Sequence, residues 1–170
     1  MTDFQNPLLV ESQLFMNEHH LLVALGQRAQ REFTQPTILN IGIWRGASCH
    51  CLRLGAPDAQ LIAIDVMGTY AFTIPDLLDF LDMTVIKRNS NYVELIQPFQ
   101  LVFVDGGHEY EVVCGDIRKF CSQIVKGGYA AFHDAGRQEI QRALSECMPE
   151  IGEWEKLPES TSNLLCMRRL

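Results

Sequence analysis

Residues that could bind a ligand or move a proton follow five short apolar runs of this 170-residue sequence. These residues are the segment 42–48, Asp65, Asn89-Ser90, the segment 105–108 and His133-Asp134. A lone aspartate after a strand is usually a turn residue or a helix cap. Five such features in one chain instead indicate a shared site, in which carboxylates, imidazoles and backbone amides could hold a cofactor and transfer a proton.

The segment 42–48, Gly-Ile-Trp-Arg-Gly-Ala-Ser, joins an apolar run to a helical pattern. Glycines let the backbone approach a ligand, and amides at a helix start can receive an anionic group. Gly42 and Gly46 do not reproduce the G-x-G-x-x-G fingerprint of dinucleotide binders, and a turn without any ligand explains them equally well. Asp65 favours the ligand-binding interpretation of this turn, because it follows Gly42 by 23 residues (65 minus 42). This is close to the spacing at which a carboxylate accepts hydrogen bonds from a ribose, so we expect a nucleoside-bearing cofactor.

The elements that position these residues are predicted from periodicity and turn signals. Predicted helices cover 18–33, 47–54, 76–82, 92–96, 109–125 and about 140–147, and predicted strands cover 37–42, 61–66, 83–87, 101–104 and 129–132. Two last strands, 153–157 and 164–168, form a hairpin. The alternation predicts a Rossmann-like, doubly wound, mostly parallel α/β sheet with a C-terminal antiparallel hairpin. Ligands of such sheets bind at the carboxyl ends of the strands, where the strand order reverses.

Length and composition limit the possible functions. At 170 residues we expect one domain, with an N-terminal helical segment at 1–36, a cofactor-binding core at 37–134, and the last helix and hairpin at 135–170. A net charge of −7 disfavours nucleic-acid and membrane-surface partners. The start of the chain lacks the basic residues of a signal peptide, and six cysteines are interpreted as reduced thiols. We therefore expect a cytoplasmic protein, in which the Cys49-His50-Cys51 triplet belongs to a buried helix rather than to a zinc site.

Four segments together resemble the class I S-adenosylmethionine-dependent methyltransferases, and within them the small-molecule O-methyltransferases that include the macrolide sugar enzymes. They are 38–48, 62–65, 103–110 and 127–134, and the resemblance covers about 37–134. The Asp-Gly-Gly-His-x-Tyr segment, followed by an amphipathic helix, Gly-Gly and a strand ending in His-Asp, is the most specific element.

The resemblance implies roles for particular residues. The turn with Gly42, Gly46 and Ser48 would hold the methionine part of the cofactor, and Asp65 would bind the ribose hydroxyls. Asn89 and Ser90 would border the adenine, and Asp105 would lie near the reactive methyl group. Asn40 stands where relatives usually carry an acidic residue, so we expect a weaker or replaced contact to the cofactor's amino group.

His108 is the expected catalytic base, acting with Asp105, because an imidazole can take a proton from an acceptor hydroxyl near neutral pH. Its alternative role is to cap the following helix. Asp105 and Asp134, with His133, are candidate ligands for Mg²⁺, as in some relatives. Those relatives carry an acidic pair where this chain has His133-Asp134. Asp134 could instead cap a helix or orient His108, and His133 could be buried with its hydrogen bonds satisfied.

The expected function is methyl transfer to a hydroxyl of a small-molecule acceptor. The alternatives are an NAD or nucleotide-sugar enzyme and a non-catalytic S-adenosylmethionine-binding subunit. Trp44, Tyr70, Phe72 and Tyr92 could line a pocket, although each is as well explained by ordinary packing, and residues 67–73 could form a lid. Since the core uses nearly the whole chain, the acceptor site should be open or completed by the second subunit of a homodimer.

Overall fold

The computed structural model describes residues 12–66 and 81–170. Within these ranges the helices are α1 (Met16–Glu32), α2 (Ala47–Gly55), α3 (Tyr110–Lys119) and α4 (Gln138–Ile151). The strands are β1 (Thr37–Ile41), β2 (Gln60–Asp65), β3 (Met83–Lys87), β4 (Phe99–Val104), β5 (Ile124–Phe132), β6 (Trp154–Lys156) and β7 (Leu165–Arg169). Most of the predicted helix 76–82 and the predicted lid 67–73, with Tyr70 and Phe72, fall outside the described residues.

The seven strands form one sheet in the order β3-β2-β1-β4-β5-β7-β6. Strands β1 to β5 are parallel, whereas β7 runs antiparallel to both β5 and β6. The predicted Rossmann-like, doubly wound α/β sheet with a C-terminal antiparallel hairpin is therefore confirmed. The strand order reverses between β1 and β4, so a crevice at the carboxyl ends of these two strands is the expected place for a ligand.

Helices cover both faces of the sheet because the parallel strands are apolar on both sides. On one face α1 and α2 pack through Leu22, Leu25 and Leu52, which are fully buried. On the other face α3 and α4 contribute Ile117 and Ala143, which are also fully buried. This packing holds the strand ends in fixed positions. None of the helices in the described ranges has the length and apolarity needed to cross a bilayer.

The boundary between α3 and β5 differs from the prediction. The predicted helix 109–125 is wrong beyond Lys119, where α3 ends, and β5 begins at Ile124 rather than at residue 129. Gly127 has a φ of 82° but lies within the strand and does not cap a helix. Apolar residues continue at helical spacing as far as Ile124, so periodicity alone could not mark the helix end.

One other local prediction was wrong, because the predicted short helix at 92–96 is replaced by a 3₁₀ turn at Ser90–Tyr92. Glu18 and His19 lie on the buried side of α1, with exposed fractions of only 1% and 4%. His19 Nε2 lies 2.8 Å from Ser12 Oγ, whereas its Nδ1 has no hydrogen-bond partner among the described residues. Glu18 faces His133 at the end of β5.

Candidate active site

A cavity of about 400 Å³ lies at the carboxyl ends of β1, β2 and β4, where the strand order reverses. Five of the predicted cofactor-binding residues line it, namely Gly42, Asp65, Asn89, Ser90 and Asp105. A second cavity of about 140 Å³ adjoins it and is lined by Ser12, Gln13, Leu14, Ser48 and His108, among others. Trp44 and Asp105 border both spaces. The predicted site residues from four separate strand ends are thus brought together.

Gly42 allows the ends of β1 and β4 to meet. Its φ is 91°, and a Cβ atom at this position would lie 2.0 Å from the carbonyl oxygen of Asp105. Its amide donates to Ile64 O at 2.8 Å, and the Asp105 amide donates to Ile41 O at 2.8 Å. No other residue type combines this left-handed backbone with so close an approach. Because Gly42 has no side chain, the two backbone segments can approach closely and form the floor of the cavity.

Asp65 organises the turn after β1 as well as lining the larger cavity. Its Oδ2 accepts hydrogen bonds from the amides of Ile43 at 2.6 Å and Trp44 at 3.2 Å. Trp44 has a φ of 45°, which is unusual for a bulky residue, and these hydrogen bonds help to hold it in that conformation. The predicted ribose-binding carboxylate therefore also shapes the turn that precedes α2.

Asn40 and Gly46 support the turn and line neither cavity. Asn40 is fully buried, and its Nδ2 donates to Gly42 O at 2.6 Å, whereas its Oδ1 has no hydrogen-bond partner. Gly46 has a φ of 87° and occupies the N-cap position of α2. Both residues thus support the turn, and their direct contacts to a cofactor stay predictions.

Asn89 and Ser90 form the wall of the larger cavity beyond β3. Asn89 Oδ1 accepts from the Asn91 amide at 2.9 Å, which starts the 3₁₀ turn, and Ser90 is 7% exposed. Lys119 of α3 donates to Asn91 O at 2.8 Å and braces the turn from outside. Tyr92 of the same turn is 67% exposed and lines neither cavity, so the prediction that it lines the pocket is wrong.

His108 and Asp134 form a pair beside Asp105. His108 Nε2 lies 2.8 Å from Asp134 Oδ2, and the two side chains are 40% and 26% exposed. Asp105, His108 and Asp134 can each offer one ligand atom, and these atoms lie within 4.8 Å of one another. This arrangement could orient an imidazole as a base or hold a divalent cation.

His133 is enclosed by carboxylates and is 6% exposed. Its Nδ1 lies 3.0 Å from Asp105 Oδ1, an ion-pair contact in which the ring N–H is not aligned with the oxygen. Burial by itself lowers the pKa of His133, but Asp105, Asp134 and Glu18 overcome this effect and raise it to about 9. A protonated imidazole has no lone pair for a metal ion, so coordination by His133 would first require loss of its proton. The role of His133 as a metal ligand stays a prediction, and the possible ligand atoms that lie within 4.8 Å of one another belong to Asp105, His108 and Asp134.

The pKa of the Asp105 carboxyl group is also raised. Burial is the largest cause, and the contact with His133 opposes it. The Asp105 side chain is 25% exposed and faces both cavities. The paired cation thus favours the ionised form of this carboxylate, whereas burial disfavours it.

Sequence reasoning missed two groups of residues at the site. Glu18 and Asn163 contact His133 across chain separations of 115 and 30 residues. Residues 12–14, which precede α1, line the smaller cavity next to His108. No local pattern marks these residues, because their proximity arises only when α1 packs against the end of β5.

Comparison with known proteins assigns this sequence to a family. The sequence pattern of a family described as a methyltransferase domain matches residues 39–135, which include β1, β2, β4 and β5. The uncharacterized protein R132 of Acanthamoeba polyphaga mimivirus is 24% identical over 171 aligned residues, covering 88% of this chain and 74% of that protein.

Solved structures share the fold at low sequence identity. The O-methyltransferase NovP is similar with a TM-score of 0.77 and 11% identity, covering 93% of this chain and 81% of NovP. The SAH-bound methyltransferase PaMTH1 of Podospora anserina is similar with a TM-score of 0.71 and 13% identity, covering 90% of this chain and 78% of that one.

The raised pKa of His133 predicts how stability depends on pH. A folded-state value of about 9, above the ordinary 6.5, means that its contribution is complete below about 6.5 and is lost as pH rises through about 9. We expect the free energy of unfolding in urea to fall over this range, and His133→Gln to flatten the fall. His20→Gln, at an exposed position of α1, is the control. Equal slopes in wild type and His133→Gln would contradict the assignment.

Proposed function

Because the chain belongs to the methyltransferase domain family, we propose that it transfers a methyl group from S-adenosylmethionine to a hydroxyl of a small molecule. The observation that carries this proposal is the cavity of about 400 Å³ that runs from Asp65 and Ser90 to Asp105. His108 stands at the adjoining smaller cavity. Nucleoside-binding and proton-accepting groups therefore share one continuous site.

The residues around the larger cavity fit S-adenosylmethionine. Its volume lies in the range of small-molecule sites, and the glycine turn leaves its floor free of side chains. Asp65 is placed to accept from ribose hydroxyls, and Asn89 and Ser90 border the space for adenine. The cofactor supplies an electrophilic methyl group on a positively charged sulfur. Asp105, which borders both cavities, favours that charge electrostatically.

His108 is the proposed base. With its Nε2 proton donated to Asp134 Oδ2 at 2.8 Å, the Nδ1 atom carries the lone pair that accepts the proton of an acceptor hydroxyl. Asp134 then stabilises the resulting imidazolium. Residues 12–14 wall the smaller cavity beside His108 and would contact the acceptor there. Rate acceleration follows chiefly from holding the acceptor oxygen in line with the methyl group.

The site also fits a divalent cation. The carboxylates of Asp105 and Asp134 are hard oxygen ligands, and with His108 they form the cluster whose ligand atoms lie within 4.8 Å. We propose Mg²⁺ at the two carboxylates, where it would polarise the acceptor hydroxyl. His133 is left out of this proposed coordination, because its ring already pairs with Asp105.

The alternative functions are less well supported. An NAD or nucleotide-sugar enzyme needs a pyrophosphate-binding turn, and Gly42 and Gly46 do not form that fingerprint. A non-catalytic S-adenosylmethionine-binding subunit would not need the His108–Asp134 pair, of which His108 lines the smaller cavity. A cytoplasmic location and a homodimer that completes the acceptor site stay predictions from the sequence.

Cofactor binding is the first expectation to test. A ligand that binds only the native state raises the melting temperature. We therefore expect S-adenosylhomocysteine to raise Tm in a thermal-shift assay and NAD to leave it unchanged. The variant Asp65→Ala should reduce the shift, because it removes the predicted ribose acceptor. A rise with NAD alone would refute the proposed function.

The role of His108 predicts a selective loss of rate. His108→Ala should lower the turnover of radiolabelled S-adenosylmethionine with a panel of phenolic and sugar hydroxyl acceptors by about 10²-fold. Its affinity for S-adenosylhomocysteine should stay within about twofold, because His108 borders the smaller cavity and not the larger one. His20→Ala serves as the control. Turnover that survives in His108→Ala would exclude His108 as the base.

The proposed cation predicts metal-dependent turnover. After dialysis against EDTA, we expect methyl transfer to fall and to recover when Mg²⁺ is added back, because a carboxylate pair loses its polarising ion. Asp134→Asn should weaken this recovery. If the dialysed protein transfers methyl groups at an undiminished rate, Asp105 and Asp134 act without a metal.

A further inference from the structure

Side chains from three distant parts of the chain converge beneath Asp105. Glu18 belongs to the first turn of α1, His133 directly follows β5, and Asn163 lies in the loop between β6 and β7. Glu18 Oε1 accepts from Asn163 Nδ2 at 3.0 Å, and Glu18 Oε2 lies 3.4 Å from His133 Nε2. On its opposite side, His133 Nδ1 lies 3.0 Å from Asp105 Oδ1. The contacts thus run from α1 to the wall of the cofactor cavity.

The burial of Glu18 calls for an explanation. Its exposed fraction is 1%, and a buried carboxylate is costly unless charges and hydrogen bonds compensate it. Its Oε2 also accepts from the Phe15 amide at 2.8 Å, which caps α1. Capping alone does not require burial, since exposed acidic residues perform it at many helix starts. The contacts that only a buried Glu18 can make here are those to Asn163 and His133.

Neither Glu18 nor Asn163 lines the cavities, so any influence on a bound ligand must pass through His133. Asn163 Nδ2 lies 3.1 Å from His133 Nε2, but two N–H donors do not bond to each other, so Asn163 acts on the ring through Glu18, to which it donates. Its backbone carbonyl accepts from the Ala135 amide at 3.0 Å. Asn163 therefore holds Glu18 beside His133 and also holds the turn that follows Asp134. These contacts restrict the imidazole to the orientation in which Nδ1 faces Asp105.

We propose that Glu18 and Asn163 are positioning residues of the active site, which clamp the His133 ring and thereby fix the carboxylate of Asp105 toward the cofactor cavity. The proposal rests on the proposed function, because it gives Asp105 a ligand to face. It assigns a role to α1 beyond covering the sheet. It also makes the loop between β6 and β7 part of the machinery that orients the site.

The same helix offers a matched control. Glu32, at the last turn of α1, accepts from Tyr129 OH of β5 at 2.8 Å. Glu18 and Glu32 thus both join α1 to the β5 region through a carboxylate, but only Glu18 leads to Asp105. Loss of the Glu32 contact should affect stability without affecting the cavity.

The test is a double-mutant cycle on the affinity for S-adenosylmethionine without an acceptor, measured by calorimetry, because its positively charged sulfur is the group that Asp105 favours. Glu18→Gln should raise Kd by about fivefold or more in the wild-type background, because the Asp105 carboxylate is released. In the Asp105→Asn background the same substitution should change Kd by less than about twofold, since the group through which it acts is gone. Asn163→Ala should behave as Glu18→Gln does. Glu32→Gln should leave Kd within about twofold in both backgrounds.

A purely structural role predicts a different pattern. If Glu18→Gln raises Kd by the same factor in the wild-type and Asp105→Asn backgrounds, the effects are additive and the clamp is refuted. An unchanged Kd in both Glu18→Gln and Asn163→Ala also refutes it. Thermal unfolding confirms that each variant is folded, and Asn163→Ala, which keeps the buried carboxylate, carries the test if Glu18→Gln does not fold.

Failure of the proposed function has its own signature. If wild-type protein does not bind S-adenosylhomocysteine, the function is wrong, and crystal structures of the Glu18→Gln and Glu32→Gln variants then decide the clamp. We expect the contact of 3.0 Å between His133 Nδ1 and Asp105 Oδ1 to be lost in Glu18→Gln and kept in Glu32→Gln. A contact that persists in Glu18→Gln would overturn the proposal.

Discussion

The close approach of two backbone segments, at Gly42 and Asp105, is the constraint on which the rest of the site depends. The carbonyl oxygen of Asp105 occupies the space that a Cβ atom at Gly42 would need. Because the ends of β1 and β4 meet there, the turn after β1 closes one side of a crevice and the loop after β4 closes the other. The Asp65 carboxylate then fixes the turn through the amides of Ile43 and Trp44. Without this approach the residues that line the cavity would not face a common space.

The charged groups around His133 also organise the site. His133 is a buried cation beside Asp105, Asp134 and Glu18, and its charge offsets part of their mutual repulsion. Burial raises the pKa of the Asp105 carboxyl group, and the contact with His133 opposes that shift. The His108–Asp134 pair is more exposed, so the two histidines stand in different environments.

Much of the fold and part of the site could be predicted from local signals. The carboxyl ends of β2 at Asp65, β4 at Val104 and α2 at Gly55 were each predicted within one residue. The predicted boundary near Ile124 was wrong. The spacing of apolar residues there fits a helix, but Ile124 packs in the core and pairs with Phe99 as part of a strand. The surroundings of His133 were also not visible from the sequence. Its residue type suits metal coordination, and only the structure shows the carboxylates that raise its pKa.

The sequence by itself determined the alternation of strands and helices, the glycine turn and the identity of the polar residues at the strand ends, because these depend on neighbours within a few residues along the chain. Only the tertiary structure decided which polar groups meet. Glu18 and Asn163 reach His133 from opposite ends of the chain, and Asn40 donates to the carbonyl of Gly42. Charge and burial act through space, so the ionisation of His133 and the orientation of Asp105 follow from packing that no local pattern encodes.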